Sequence, residues 1–252
     1  MHPATAAAVD RSYARVFGVD EEDLWCDLTV RTHRRLGDYP GWYVAWRGEG
    51  VHVSSPVDAP AVDAGMLAGC EIPDLQDVAF WRRFADERGL RLVGPATHTY
   101  LDADPLARGG RVGDGPADAA GDAAGDGAGD GVVVLDAAQR EQLRTTVPAA
   151  EWEESGWADR PALAWGLVVD GRVVAAANLR PVDGAPLDVG VLVAPAHRGR
   201  GLAERVGRHA ASWAVRHHGH ARWRSRDDNA ASLATARRIG FETWCAQVAV
   251  RP

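Results

Sequence analysis

The chain contains no lysine: all 28 of its Lys+Arg residues are arginine. A Walker phosphate loop, a protein kinase, and pyridoxal or aldolase chemistry each need a lysine on the phosphates or as a Schiff-base amine, so all are excluded. Cysteine is scarce, and Cys26, Cys70 and Cys245 lie far apart with no C-x-x-C, which indicates neither a disulfide framework nor a zinc knuckle. Long apolar runs are missing too, with nothing near the ~18 consecutive residues a membrane span needs. Met1 to Asp10 carries no basic cluster ahead of its Ala run, so no secretory leader is expected and the protein is placed in the cytoplasm.

What remains is ordinary for a globular protein: 252 residues, 46% hydrophobic and 25% charged, enough for one large or two small cored domains. The net charge of −7 argues against general nucleic-acid binding by phosphate neutralisation. The charge is uneven, however. From Leu187 to Pro252 eleven Arg stand against five acids, Asp188, Glu204, Asp227, Asp228 and Glu242, so this end of the chain is suited to meet an anion.

Gly113 to Gly131, GDGPADAAGDAAGDGAGDG, has nothing to bury and reads as a flexible acidic linker spanning roughly 25 Å. Its Gly-Asp repeats lack both the large apolar residue of calcium-binding nonapeptides and the EF-hand spacing, so no metal is assigned. The linker divides an N-terminal α+β half, 1–112, from a C-terminal half, 132–252. In the first, Ala4 to Phe17 is helical, Gly41 to Ser55 gives two strands joined at Arg47 to Gly50, Asp74 to Arg88 gives one helix, and Arg91 to Leu101 is a strand interrupted at Gly94-Pro95. In the second, Val132 to Leu135 is a strand and Asp136 caps a helix that Pro148 ends. Leu163 to Val169, Val173 to Leu179 and Leu187 to Val193 then form a three-strand meander with Asp-Gly turns. A helix from Gly201 to about His217, a strand at Ala221 to Ser225, a helix begun by Asp228 or Asn229, and a strand in which Trp244, Ala246, Val248 and Val250 alternate complete the order β-α-β-β-β-α-β-α-β.

The strongest local signal is V-L-V-A-P-A-H-R-G-R-G-L-A, Val191 to Ala203: a strand, a proline break, a glycine loop and at once a helix. Such a junction collects free N–H groups at the positive end of a helix dipole. Gly199 and Gly201 remove Cβ atoms that would hold a pyrophosphate away, and Arg198 and Arg200 add charge. The plainer alternative is a glycine turn ahead of a solvated basic helix start.

Arg198-Gly199-Arg200-Gly201-Leu202-Ala203 resembles the R/Q-x-x-G-x-G/A signature of the GNAT superfamily of acyl-CoA-dependent acyltransferases, and Asn229, Ser232 and Gly240-Phe241 resemble its second mark. The resemblance covers Val132 to Pro252. It implies a mixed α/β acyltransferase fold in which the backbone of Val191, Leu192 and Val193 pairs with the pantetheine arm of acetyl-CoA. The 198–203 loop would hold the pyrophosphate, and Asn229 would bond the arm or the adenylate side. More loosely, W-R-S-R-D-D-N-A-A-S looks like a branch containing zwittermicin-type resistance acetyltransferases.

The implied reaction is direct attack of an amine on the thioester, needing a base and an oxyanion donor, the latter a backbone N–H near Leu192 or Val193. Many members place a Tyr as acid seven residues after the Asn; here that position is Ala236, and Ser232 either relays a proton instead or caps the helix. Candidate bases are Asp188, which opens the fourth strand of this half, and Glu154 in EWEESGW beside Glu151 and Glu153; a base requires a raised carboxyl pKa. His217, His218 and His220 complement a helix end more simply than they bind metal, and Trp152, Trp157 and Trp165 serve either an acceptor pocket or the core.

The expected function is N-acetyl transfer from acetyl-CoA to a primary amine of a small molecule or peptide. The N-terminal half, read as a degenerate copy of the same fold, would supply part of the pocket. The rival readings are an acyl-CoA-binding sensor or scaffold, and a nucleic-acid binder using Arg222, Arg224 and Arg226 around Trp223. Neither a nucleic acid nor a membrane is the expected partner, and monomer or homodimer stays open.

Overall fold

The computed structural model of the chain describes residues 1–33, 36, 39–57, 65–67, 69–107, 131–159 and 161–252; the proposed linker, apart from Gly131, lies outside them. The first elements in chain order are α1 (Pro3–Phe17), β1 (Leu28–Thr32), β2 (Trp42–Arg47), β3 (Gly50–Ser55), α2 (Ile72–Gln76), α3 (Val78–Asp86) and β4 (Arg91–Leu101). There follow β5 (Val132–Val134), α4 (Ala137–Arg144), α5 (Ala149–Glu154), β6 (Ala164–Val169), β7 (Arg172–Val182) and β8 (Ala185–Val193). The last are α6 (Leu202–His218), β9 (Ala221–Arg226), α7 (Ala230–Ile239) and β10 (Glu242–Arg251). Two compact units result, and they do not coincide with the segments on either side of the linker. One comprises Thr99–Arg224 and Ala231–Glu242 with Met1; the other comprises His2–His98, Ser225–Ala230 and Thr243–Pro252.

In the unit holding most of the N-terminal segment, β3 lies between β1, parallel to it, and β2, antiparallel to it, and β10 adds to the far edge of β2. Leu75, Trp81 and Phe84 close over Trp42, Val44, Val53, Val248 and Val250, and the buried indole N–H of Trp81 donates to Leu75 O at 2.8 Å. The single helix expected over Asp74 to Arg88 is two. Asp77 is extended, with φ −81° and ψ 120°, and its carboxylate accepts from Ala79 N, so it ends α2 and caps α3. The strand β1 lies outside the elements expected from sequence, although its Leu28 and Val30 alternate with polar residues and pack on this core; at five residues with two apolar positions the pattern is short, and pairing with β3 completes it. Gln247 and Ala249 are buried along with Val248 and Val250, so the end of β10 is covered on both faces, beyond the alternation read from sequence.

In the other unit β5, β6, β7 and β8 form an antiparallel meander, one strand more than expected, and β9 joins β8 in parallel. Both Asp-Gly turns have two positive φ angles, 49° and 71° at Asp170-Gly171 and 51° and 84° at Asp183-Gly184, as a two-residue primed hairpin requires. One face of the meander packs Leu187 and Val189 against Val206, Ala210 and Trp213 of α6, with Trp223, Ile239 and Phe241 in the same core. The opposite face packs Ala176 and Leu192 against Leu135, Leu143 and Trp157.

Pro148 does not end the first helix of this unit; α4 stops at Arg144, and Pro148 opens α5 as its N-cap. Asp136 does cap α4 as expected, through a reciprocal box with Gln139 at 2.8 and 3.0 Å. Asp136→Ala is therefore expected to lower stability by about 1 kcal/mol in denaturant titration, with Asp136→Ser restoring most of the loss.

Candidate functional site

The site begins where two neighbouring strands separate. β8 and β9 share one register pair, Asp188↔Arg222, whereas β8 stays paired with β7 through Val193. Ala194 N donates to Val174 O at 2.9 Å, so the hydrogen-bonded positions of the β7–β8 ladder are the even residues of β8. The antiparallel alternation then turns the N–H and C=O groups of Val189, Val191 and Val193 toward the β9 side. This divides the predicted set. Val191 and Val193 present backbone groups to the opening, while Leu192 spends its own on β7 and buries its side chain on the α4 face, which removes it as an oxyanion donor.

Beyond Val193 the chain makes one 3-10 turn, Pro195–His197, and enters the glycine loop. Gly199 and Gly201 both have φ 73°, a left-handed conformation that disfavours any side chain, and a Cβ at either would meet nothing within 4 Å. Gly201 is the N-cap of the 17-residue α6 and no side chain caps that end, so the first-turn N–H groups have no side-chain acceptor. The one acid of that turn, Glu204, is held by Arg208 at 2.9 Å and Arg238 at 3.1 Å. Arg198 turns back from the loop: its Nε donates to Val193 O at 3.2 Å and its Nη2 meets Glu151 at 2.6 Å. Arg200 is exposed, and Leu202 and Ala203 are half-buried in the first turn.

Asp188 stands at the vertex of the split, 2% exposed, with Oδ1 accepting from Arg222 Nε at 2.9 Å and Oδ2 from Arg180 Nη2 at 2.5 Å. Burial opposes its ionisation, but the charge and hydrogen bond of Arg222, with the charges of Arg180 and Arg224, outweigh it and hold the carboxyl well below the usual range. A general base needs the opposite shift, so the role of base expected of Asp188 is corrected to that of a clamp across β7, β8 and β9. The two arginines are what sequence reasoning missed; an Arg in each strand beside a strand Asp was the available signal.

Glu154 is exposed at the last position of α5. Ser232 is the third residue of α7, past the cap position, and its Oγ accepts from Trp223 Nε1 at 3.0 Å. Ala236 is buried in the core. Asn229 belongs to the other compact unit, just ahead of α7, where its N–H donates to Arg226 O at 3.0 Å. Trp223 is 2% exposed, so its ring offers no platform for a base, which removes the stacking half of the nucleic-acid reading. His217 donates from Nδ1 to Trp213 O of its own helix at 2.7 Å, and its ring stacks on Trp213. Trp157 and Trp165 are core residues, and Trp152 packs on Trp157.

A second missed feature is the close approach at Gly190. A Cβ there would overlap the Ser155 carbonyl oxygen and press on Asn178, which itself donates to Ser155 O at 3.2 Å. The turn after α5 is thereby seated on β7 and β8 beside the split.

The depressed pKa of Asp188 fixes a pH dependence. The carboxyl contributes stability that is complete above its unfolded value of ~3.9 and is lost as pH falls below it. Asp188→Asn should cost about 3–5 kcal/mol at neutral pH by leaving two guanidiniums unpaired. The deficit relative to wild type should narrow as pH falls below about 4, measured by urea unfolding at several pH values.

Residues 132–241 match the acetyltransferase (GNAT) family. Among solved structures, a GNAT-family protein from Novosphingobium aromaticivorans is 23% identical over 64% of this chain and 66% of its own, with a TM-score of 0.44. A GCN5-related N-acetyltransferase-like protein from Streptococcus suis is 15% identical over 97% of this chain and 98% of its own, with a TM-score of 0.49. A GNAT-family acetyltransferase from Colwellia psychrerythraea is 13% identical over 84% and 80%, with a TM-score of 0.46. A comparison with curated proteins gives no match. Residues 132–241 are thus a segment of the acetyltransferase (GNAT) family, whose chemistry is acyl transfer.

Proposed function

We propose that the chain transfers an acetyl group from acetyl-CoA to a primary amine of a small molecule or peptide by direct attack. The observation that carries this reading is the edge of β8 beyond Asp188. It has no β9 ladder, and it leads into a glycine loop and the uncapped start of α6. An extended amide-bearing arm pairs with such an edge as a strand does, and a pyrophosphate is held by the N–H groups and positive dipole end at its foot. Val191 and Val193 serve the arm, and Gly199 to Ala203 with Arg200 serve the phosphates. Arg198 joins them once it leaves Glu151, an exposed pair worth at most about 1 kcal/mol. Asn229 is assigned to the cofactor by its motif position.

In the reaction the amine nitrogen attacks the thioester carbon. A C–N bond forms, the C–S bond breaks, and the electron pair leaves on sulfur. Val193 N–H stabilises the oxyanion. Glu154 takes the ammonium proton, directly or through water. With Ala236 in place of an acid, the thiolate leaves unprotonated, tolerable for a thiol of pKa ~8.5, and Ser232 is left to its bond with Trp223.

Calorimetry should give micromolar binding of acetyl-CoA and CoA with ATP far weaker. Gly201→Glu should abolish that binding without lowering the melting temperature by more than a few degrees. Unchanged affinity in both Gly201→Glu and Arg198→Ala would overturn the cofactor assignment. Glu154→Gln should lower kcat by roughly 10²–10⁴-fold with acetyl-CoA affinity retained. Binding without turnover of any amine would leave an acyl-CoA-binding sensor in place of an enzyme.

A further inference from the structure

Arg180, Arg222 and Arg224 lie on one face of the split, the face opposite α6. The paired positions Asp188↔Arg222 and Asp188↔Arg180 place the first two there. Trp223, between Arg222 and Arg224, points into the α6 core, so strand alternation returns Arg224 to the side of Asp188. Asp188 is thus one carboxylate among three guanidiniums, and it is divided between two of them. Arg180 lies under Gly156, where a Cβ would overlap its Cδ, and its buried Nε has no hydrogen-bond acceptor. Arg224 is exposed and makes no ion pair with any carboxylate of the described residues. Arg180 and Arg222 are therefore desolvated and share Asp188, while Arg224 faces solvent as a cation with no carboxylate of its own.

The position of that charge matters. β8 and β9 run parallel from Asp188↔Arg222, so Gly190 and Arg224 stand at matching height on the two diverging arms, about 7 Å beyond the vertex. This stretch adjoins Val191, where the proposed thioester arm begins. Gly190 carries no side chain into it, and the turn at Ser155 and Gly156 bounds it.

We infer that the acceptor is an amine that also bears an anionic group, a carboxylate or a phosphate ester, and that Arg224 is the residue that binds this group. The inference rests on the acetylation reading for the identity of the site, and it specifies the substrate class that reading leaves open. Arg224 is a specificity-determining residue: a charged hydrogen bond from its planar fork favours an anion over the matched neutral compound.

The test uses two matched pairs, β-alanine with β-alaninamide and phosphoethanolamine with ethanolamine. The wild type, Arg224→Gln and Arg224→Glu are compared for binding to the CoA-loaded protein by calorimetry and for transfer from acetyl-CoA by thiol release. The anionic member of at least one pair should be preferred by roughly tenfold to a hundredfold. The pair showing the preference tells carboxylate from phosphate. Arg224→Gln should erase the preference and Arg224→Glu invert it, with acetyl-CoA affinity unchanged in both. Because Arg224 is exposed, neither variant disturbs the core. Acetylation without regard to acceptor charge, a preference that survives in Arg224→Glu, or loss of acetyl-CoA affinity in that variant would overturn the anion subsite while the acetylation reading stands. Preferential, Arg224-dependent binding without transfer would uphold the subsite and overturn the reaction. Neither binding nor transfer would overturn both.

Discussion

One buried carboxylate organises the unit that carries β5 to β9. Asp188 reaches Arg180 on β7 and Arg222 on β9, so a single side chain ties three adjacent strands at the point where two of them part. Parallel strands held only by backbone bonds would gain by zipping further, since each unpaired N–H and C=O in a protected position costs free energy. The ion cluster sits at the single position where β8 and β9 pair. On one side of it the strands are ordinary sheet; on the other, Val191 and the N–H of Val193 turn toward the β9 side where the shared ladder has ended.

That constraint links the remaining parts. The edge of β8 runs without interruption into Pro195–His197, the two left-handed glycines and the open end of α6, so the two parts of the proposed cofactor site lie on one stretch of chain. The α6 face of the meander is apolar and sealed by Trp213, Trp223 and Ile239, whereas the other face gathers Asp188, Asn178 and the arginines beneath the turn at Ser155. One face is apolar throughout, and the other is apolar around Ala176 and Leu192 and charged at Asp188. An all-arginine basic set suits this arrangement, because guanidinium tolerates burial and divides a carboxylate between two planar forks better than an ammonium does.

Much of this was legible because the deciding physics is local. Asp-Gly between apolar runs encodes two positive φ angles, Asp136 with Gln139 encodes a helix start, and Gly199 and Gly201 encode a backbone no other residue adopts cheaply. The errors have equally specific causes. Asp77 satisfies a helix pattern and also caps, and its capping conformation broke the helix. Pro148 reads as a helix stop in sequence, yet proline serves as well at a helix start, and here it opens α5. Strand β1 alternates over only two apolar residues, Leu28 and Val30, too short a pattern to stand without its partner β3.

By itself the sequence determined the residue chemistry, the order of elements in the C-terminal half apart from α5, and the left-handed glycines of the 198–203 loop, since each follows from neighbours a few positions apart. Only the tertiary structure decided which backbone groups of β8 face the opening, what Asp188 does, and that Arg180 and Arg224 share its face. The same carboxylate is a base if burial dominates and a clamp if two guanidiniums reach it, and those guanidiniums come from strands 8 and 34 residues away in the chain. No local pattern carries that distance; the fold supplies it by bringing β7, β8 and β9 side by side.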